Sequence, residues 1–538
     1  MSDINIPNKK ESIFNTFYSL CFNLLKLLAM AKILQEAYNI RLYAVNEFGS
    51  VIHEFDPYFN FRAAEYLVAN GWSKFINWYD EKSWYPLGRP VGTTIYPGLQ
   101  ILSASVYHLS SYFGWGFSLN DICVYQPAWF SIITCLFTFG IAYETSKSTT
   151  AGVFAAFIMA IVPAHIMRSV AGGYDNESIA IGAMVTTFYL WIRSLRDESS
   201  YLIGIFAALA YIFMVAAWGG YIFVLNMIGF HAFFLIIIGR YSKQLHLSYT
   251  IFYILGTLGA IQLPVVGLAP IKSLEQLGPM FVFFVLQIKF IMEYQYAKMK
   301  DESINKFRAF QIKLISVFIV ALAISVAVLA PMGHFGPLSS RVRGLFVQHT
   351  RTGNPLVDSV AEHQATHSSA YAKFFQDLCF ISPLGIVSLF WKRNDAKYFL
   401  LVYSLLAAYF SKKMNRLMLL LSPPASILAG IVLSGCLEWS LAQLAYIVTS
   451  EKKTEDLKDK PTSPVAENKK SSKNEKPKVV IPSKKTPNTF FGTITDGLTK
   501  IYDSKIVRNI RTLILAPLIL LVLRARLVSH ALHYISFY

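Results

Sequence analysis

About thirteen apolar stretches recur along this sequence, each long enough, or nearly so, to cross the roughly 30 Å hydrocarbon core of a bilayer. They fall near residues 13–34, 122–143, 150–167, 178–195, 201–217, 220–239, 249–268, 276–294, 310–332, 374–391, 397–411, 416–436 and 508–526. Backbone polar groups in hydrocarbon must be satisfied internally, so such stretches are either helices or strands of a closed barrel. The sequence lacks the alternation of apolar and polar residues that barrel strands need. The expected fold class is an all-α polytopic membrane protein with about 13 transmembrane helices. With 54% hydrophobic and only 15% charged residues, the chain lies far from soluble domains, where about 25% charged is usual.

The net charge of +17 raises the question of nucleic acid, but the basic residues concentrate in short loops and one polar tract. That distribution orients membrane proteins, with Lys and Arg kept on the cytoplasmic side. "RSLRDE" (193–198), "GRYSKQ" (239–244), "KMKDESINKFR" (298–308), "WKRNDAK" (391–397) and the lysine-rich tract 451–485 share one side if the helices alternate. No nucleic acid is expected as a partner, and the membrane is. The opposite loops, 44–121, 168–177, 333–373 and 412–415, become non-cytoplasmic. "SKKMNR" (411–416) is basic on the wrong side. The five cysteines lie in or beside apolar segments without CxxC spacing, so neither a disulfide framework nor a thiolate metal site is expected. The first apolar stretch has no small-residue cleavage site and reads as a retained anchor.

Three acidic clusters fall on the non-cytoplasmic side: Glu54 and Asp56 in "HEFDPYFNFR", Asp175 and Glu177 in "GGYDNES", and Glu362 in "SVAEHQAT". Carboxylates from separate loops that converge can hold a divalent cation, because Mg²⁺ and Mn²⁺ prefer oxygen ligands. Each cluster also has a local reading. Asp175 or Asn176 caps the helix that follows, with Glu177 favoured by its positive end. Asp56 before Pro57 makes a turn, and Glu362 is a solvated loop acid.

In chain order, "EFDPYFNFRAAEYL", "WYPLGRPVGTTIYPGL", "RSVAGGYDNESIAI", "AWGGYIF", "SVAEHQAT" and "NRLMLLLSP" resemble the catalytic subunit of oligosaccharyltransferase, the enzyme of asparagine-linked glycosylation. The resemblance runs from about residue 40 to about 435. It implies a glycosyltransferase C-type architecture in the endoplasmic reticulum membrane with a luminal active site. The implied reaction transfers an oligosaccharide from a dolichyl pyrophosphate to the asparagine of Asn-x-Ser/Thr sequons in a nascent polypeptide. Accessory oligosaccharyltransferase subunits are implied as partners.

By the same resemblance, Asp56, Asp175 and Glu177 ligate Mn²⁺ or Mg²⁺, and Asp56 and Glu362 engage the acceptor peptide and carry catalysis with Arg168. Glu54 completes the first acidic pair without ligating. Ala361 stands where the family motif "SVSE" has serine. Arg416 matches the arginine that contacts the lipid-linked pyrophosphate, and Trp218 and Tyr221 match sugar-stacking aromatics. The assignment of Arg416 agrees with physics: an arginine at a non-cytoplasmic helix end needs an anion, and guanidinium forks suit phosphate. Snorkelling to lipid headgroups is the competing reading.

The chemistry accounts for these residue types. An asparagine amide nitrogen is a poor nucleophile because its lone pair is delocalised, a conjugation that costs about 18–20 kcal/mol to break fully in a peptide. Two carboxylates accepting its two N–H groups weaken that delocalisation. A cation neutralises charge developing on the departing pyrophosphate.

Residues 1–447 are expected to form the transmembrane catalytic region, with external loops 44–121 and 333–373. Residues 448–490 read as a disordered basic cytoplasmic linker, since that tract has almost no aliphatic content. Residues 491–538 hold the last transmembrane helix and a short luminal tail. Family members continue into a soluble domain whose Trp-Trp-Asp-Tyr-Gly motif reads the sequon; this sequence has no Trp-Trp pair, so that domain is expected to be absent. Three readings follow: an incomplete gene product, a split enzyme served by a separate soluble domain, or an inactive homologue. A polytopic lipid or solute transporter is the non-enzymatic alternative, and it predicts acids at mid-helix depth. Another polyprenyl-phosphate-sugar glycosyltransferase is disfavoured by "SVAE" and the "WYPLG" loop. Asn176-Glu177-Ser178 is formally a sequon, expected to escape modification because it lies at the site and against the membrane.

Overall fold

The computed structural model describes residues 9–298, 304–332, 360–391, 393–458, 511 and 515–522. Two compact units are present, Met1–Val432 and Leu433–Tyr538, and every candidate site residue belongs to the first. The described residues are predominantly helical, and all but one of the apolar stretches lie on helices. The exception, 508–526, falls mostly outside the described residues, as does the 333–359 part of the late external loop. Five described helices are each long and apolar enough to cross a membrane alone, or six if one bent pair counts as a single span.

Caps explain where many of these helices begin. Ser118 starts Leu119–Ser146 by accepting from the Asp121 N–H, and Ser148 starts Thr149–Ile161 by accepting from that of Ala151. Ser242 accepts from Leu245 N–H, so Lys243–Ile261 begins several residues ahead of the expected 249. At about 1.5 Å rise per residue the 28-residue Leu119–Ser146 helix is more than long enough to span. Small residues let neighbours approach closely, as membrane helices require. A Cβ on Gly430 would lie 2.6 Å from the backbone nitrogen of Ala155.

Two expected spans are broken. Stretch 150–167 is helical only to Ile161; Val162, ahead of Pro163, is extended, and a single turn Pro163–Ile166 follows. The residue before a proline is disfavoured from helical geometry. Residues 167–175 then form turns before the Asn176–Ser194 helix, and they carry the second acidic motif. Stretch 374–391 likewise divides into Ser368–Phe375 and Leu378–Leu389, bent by 84°. At the other end, the Met418–Lys458 helix continues through 448–458, where a disordered linker was expected; residues 459–490 lie outside the described residues.

The first external loop is itself folded. Helices Phe55–Asn70 and Gly98–Phe113 enclose a small core of Ala63, Leu67, Phe75, Val91, Ile95 and Ala104. Tyr66 and Trp78 stack beside it at 4.0 Å, and Tyr79–Asp80 pairs antiparallel with Arg89–Pro90.

Candidate active site

Backbone and side-chain contacts bind the first external loop to the second acidic motif. His53 N–H donates to the Gly172 carbonyl (3.2 Å), and Asn60, one turn beyond Asp56, donates its side-chain amide to the Tyr174 carbonyl (3.2 Å). Asn60 also accepts from Gln100 (3.1 Å). Gly172 has φ +88°, and a Cβ there would lie 2.5 Å from the Val51 carbonyl oxygen, so glycine alone suits both the backbone and the approach. Asp56 lies exposed in the first turn of its helix behind Glu54, which has φ +75°.

Asp175 caps the Asn176–Ser194 helix by accepting from the Asn176 N–H (2.7 Å), so the local capping reading is realised. Asn176 in turn donates its side-chain amide to the carbonyls of Tyr96 (3.2 Å) and Ala217 (2.6 Å). This one amide joins the "WYPLG" loop's end to the "AWGG" segment. On the other side of the motif, the "AEHQAT" segment is stitched to the 411–415 region by Asn415 N–H to Gln364 (2.9 Å) and Thr366 N–H to Lys412 (3.3 Å).

These connections bring four charged side chains into an alternating ring. Arg168 donates Nη2 to Glu362 (2.7 Å), with its Nε 3.4 Å from Glu177 Oε2. Arg416 donates Nε to Glu177 Oε1, and its Nη1 lies 3.3 Å from Glu362 Oε1. The Glu177 carboxylate is fully buried, whereas the other three are partly open. Burial pushes the Glu362 carboxyl up, but Arg416 and Arg168 outweigh burial and hold it below the ordinary carboxylate range. Arg168, Glu177, Glu362 and Arg416, expected to cooperate, therefore do meet.

Asp175 has the opposite character. Burial and neighbouring Glu177 push its carboxyl up to about 6, with Asp56 adding to the rise against the Asn176 N–H and Arg416. Three carboxylates thus feel one another, and Glu177 is the one paired directly with Arg168 and Arg416. Glu177 Oε2 is buried and accepts no hydrogen bond, although Arg168 Nε lies 3.4 Å from it. Both observations suit a hard divalent cation among oxygen donors. Among the described residues, no group of three His, Cys, Asp or Glu side chains already stands in a metal-holding arrangement.

Two expectations need correction or extension. Tyr221 is only 2% exposed; its hydroxyl accepts from Gln276 (3.0 Å), and its ring lies among Tyr96 and Tyr211, so a sugar cannot stack on it. Interfacial aromatics look alike in sequence whether they face lipid, ligand or core. Trp218 is half-buried against the core. The sequence reading overlooked Asn60, Gln100 and Arg41, all buried polar residues within the connecting framework. For Arg41 a signal existed: it ends an apolar helix on the side that basic residues avoid. All five cysteines are free. The acids lie in first turns or loops and not at mid-helix depth, which disfavours the transporter alternative.

The family model described as oligosaccharyl transferase STT3, N-terminal, matches residues 24–429. The chain belongs to the STT3 family. Among STT3 relatives, the dolichyl-diphosphooligosaccharide–protein glycosyltransferase subunit STT3 of Dictyostelium discoideum is 38% identical over 423 residues, covering 78% of this chain and 58% of that protein. The Saccharomyces cerevisiae subunit STT3 is 38% identical over 415 residues, covering 76% and 57%. This STT3 chain therefore spans a little over half the length of these relatives. Its fold is similar to that of the oligosaccharyltransferase of Archaeoglobus fulgidus in the apo form, with TM-score 0.60 at 16% identity over 90% of this chain and 56% of that one. The archaeal oligosaccharyltransferase AglB from Archaeoglobus fulgidus, in complex with an inhibitory peptide and a dolichol-phosphate, matches with TM-score 0.58 at 16% identity, over 90% of this chain and 55% of that one.

Proposed function

We propose that this chain is the membrane part of an oligosaccharyltransferase, transferring an oligosaccharide from a dolichyl pyrophosphate to the asparagine of Asn-x-Ser/Thr sequons. The observation that carries the reading is the ring of Arg168, Glu177, Glu362 and Arg416, built from three separate segments of an STT3-family chain. In this reading the chain has thirteen spans and lies in the endoplasmic reticulum membrane with the site facing the lumen. Accessory subunits work beside it.

Asp56 and Glu362 accept the two N–H groups of the acceptor amide and so localise the nitrogen lone pair. Glu362, held ionised by its two arginines, is suited to accepting. The nitrogen then forms its bond to the anomeric carbon as the bond from that carbon to the pyrophosphate oxygen breaks. The electron pair departs with the pyrophosphate, and the amide proton passes to a carboxylate. Arg416 turns its fork to the leaving group, which frees Glu362 Oε1 for the acceptor. Asp56, Asp175 and Glu177 would hold Mn²⁺ or Mg²⁺, which neutralises charge on the leaving pyrophosphate when bound.

The test is glycan transfer from a lipid-linked oligosaccharide to a short Asn-x-Thr peptide, with and without a supplied soluble domain. Asp56→Ala and Glu362→Gln should each reduce transfer by about a hundredfold or more. Near wild-type transfer by both variants would overturn these roles.

A further inference from the structure

We propose that Arg41 is a positioning residue that holds Arg168 in the site, an inference resting on the function proposed above. Arg41 ends the Lys9–Arg41 helix, and it is fully buried. Its guanidinium reaches three parts of the broken span. Nη1 donates to the Ala160 carbonyl (3.0 Å) at the end of the Thr149–Ile161 helix, and also to Ala37 (2.7 Å). Nη2 meets His165 Nδ1 (2.8 Å), and Nε donates to Ser169 Oγ (2.7 Å). The backbone carbonyl of Arg41 accepts from Ala171 N–H (2.8 Å).

Residues 160 to 171 are therefore gripped at both ends and in the middle by one residue, and Arg168 stands inside the grip. Its own N–H donates to the His165 carbonyl (3.3 Å), and Ser169 Oγ donates to that same carbonyl (2.8 Å). A guanidinium only donates, so His165 Nδ1 accepts and the imidazole is neutral, with its proton on Nε2. The segment has no helical ladder between Ile166 and Asn176; separate turn and loop bonds hold its backbone, among them Ala171 N–H to Arg41, and the Arg41 side chain adds ties at Ala160, His165 and Ser169. Lysine cannot replace the fork, because it is a point charge without fixed donor directions.

In the full chain, Arg41→Met should speed amide hydrogen exchange across 162–171 by about tenfold or more, while peptides from 119–146 are unchanged. Arg168→Ala should not speed it. In glycan transfer, Arg41→Lys and Ser169→Ala should lower kcat, Arg41→Lys by about a hundredfold, with the peptide KM within about threefold. In an Arg168→Lys background neither should lower kcat further, because the group they position is already compromised. A merely structural arginine would multiply its cost in both backgrounds. Unchanged exchange in Arg41→Met, or multiplicative kinetic losses, would overturn the proposal. A wild-type chain that transfers no glycan would instead count against the proposed function, and exchange would still decide the role of Arg41.

Discussion

Arg416 Nε donates to Glu177 Oε1, tying the single turn at 415–417 to a carboxylate buried in the first turn of the Asn176–Ser194 helix. Removing Arg416 leaves the buried Glu177 carboxylate with only the longer 3.4 Å contact to Arg168. Arg416→Met should therefore destabilise the protein by on the order of 3 kcal/mol, whereas Arg416→Met with Glu177→Gln should recover most of the loss. Thermal unfolding in detergent measures both, and an unchanged midpoint in the single variant would count against the pair.

Arg416 is shared, since its Nη1 also faces Glu362 at 3.3 Å. An anion that takes the arginine fork releases one carboxylate oxygen for an acceptor amide. Inorganic pyrophosphate should then tighten binding of an Asn-x-Thr peptide to the full chain by about fivefold to tenfold, a coupling typical of linked sites. The effect should vanish in Arg416→Met. Titration of a fluorescent peptide with and without pyrophosphate reads it directly.

Glu362 gives the site a definite response to acid. Its folded value is depressed below 4.5, so its pairing contributes stability above that pH. As pH falls below 4.5 the unfolded carboxyl takes up its proton first, and the contribution is lost. The midpoint difference between wild type and Glu362→Gln should be constant well above pH 4.5 and shrink as the pH falls below it. A difference that grows on acidification has the wrong sign.

Asp175, pushed up by burial, Glu177 and Asp56, lies where an added cation relieves repulsion. Mn²⁺ at about a hundred times its dissociation constant should stabilise the wild-type chain by about 2.7 kcal/mol. Asp175→Asn and Glu177→Gln should blunt that gain. Equal stabilisation of all three proteins would place the cation elsewhere.

Much of the site was legible because its residues are chemically conspicuous: Asp56, Asp175, Glu177, Arg168 and Arg416 interrupt apolar sequence, where a charge needs a reason. The helices were legible from hydropathy, yet hydropathy cannot see a break that stays apolar. Val162 to Met167 continue the stretch in composition while Pro163 ends it in geometry. The 448–458 extension was missed for the converse reason, since Lys and Glu read as solvated linker but are good helix formers. Tyr221 needed the positions of Tyr96 and Gln276, which lie far away in sequence, and of Tyr211 on the preceding helix.

The amide of Asn176 has a consequence of its own. On the proposed function, a chain that carries Asn-Glu-Ser beside its site contains a copy of its own target. The Asn176 nitrogen donates to Tyr96 and Ala217, so both its hydrogens are committed. No hydrogen remains for the carboxylates that would loosen the amide, and the nitrogen is fixed inside the scaffold. On the proposed function, the bonds that assemble the site would thereby keep this sequon from self-glycosylation.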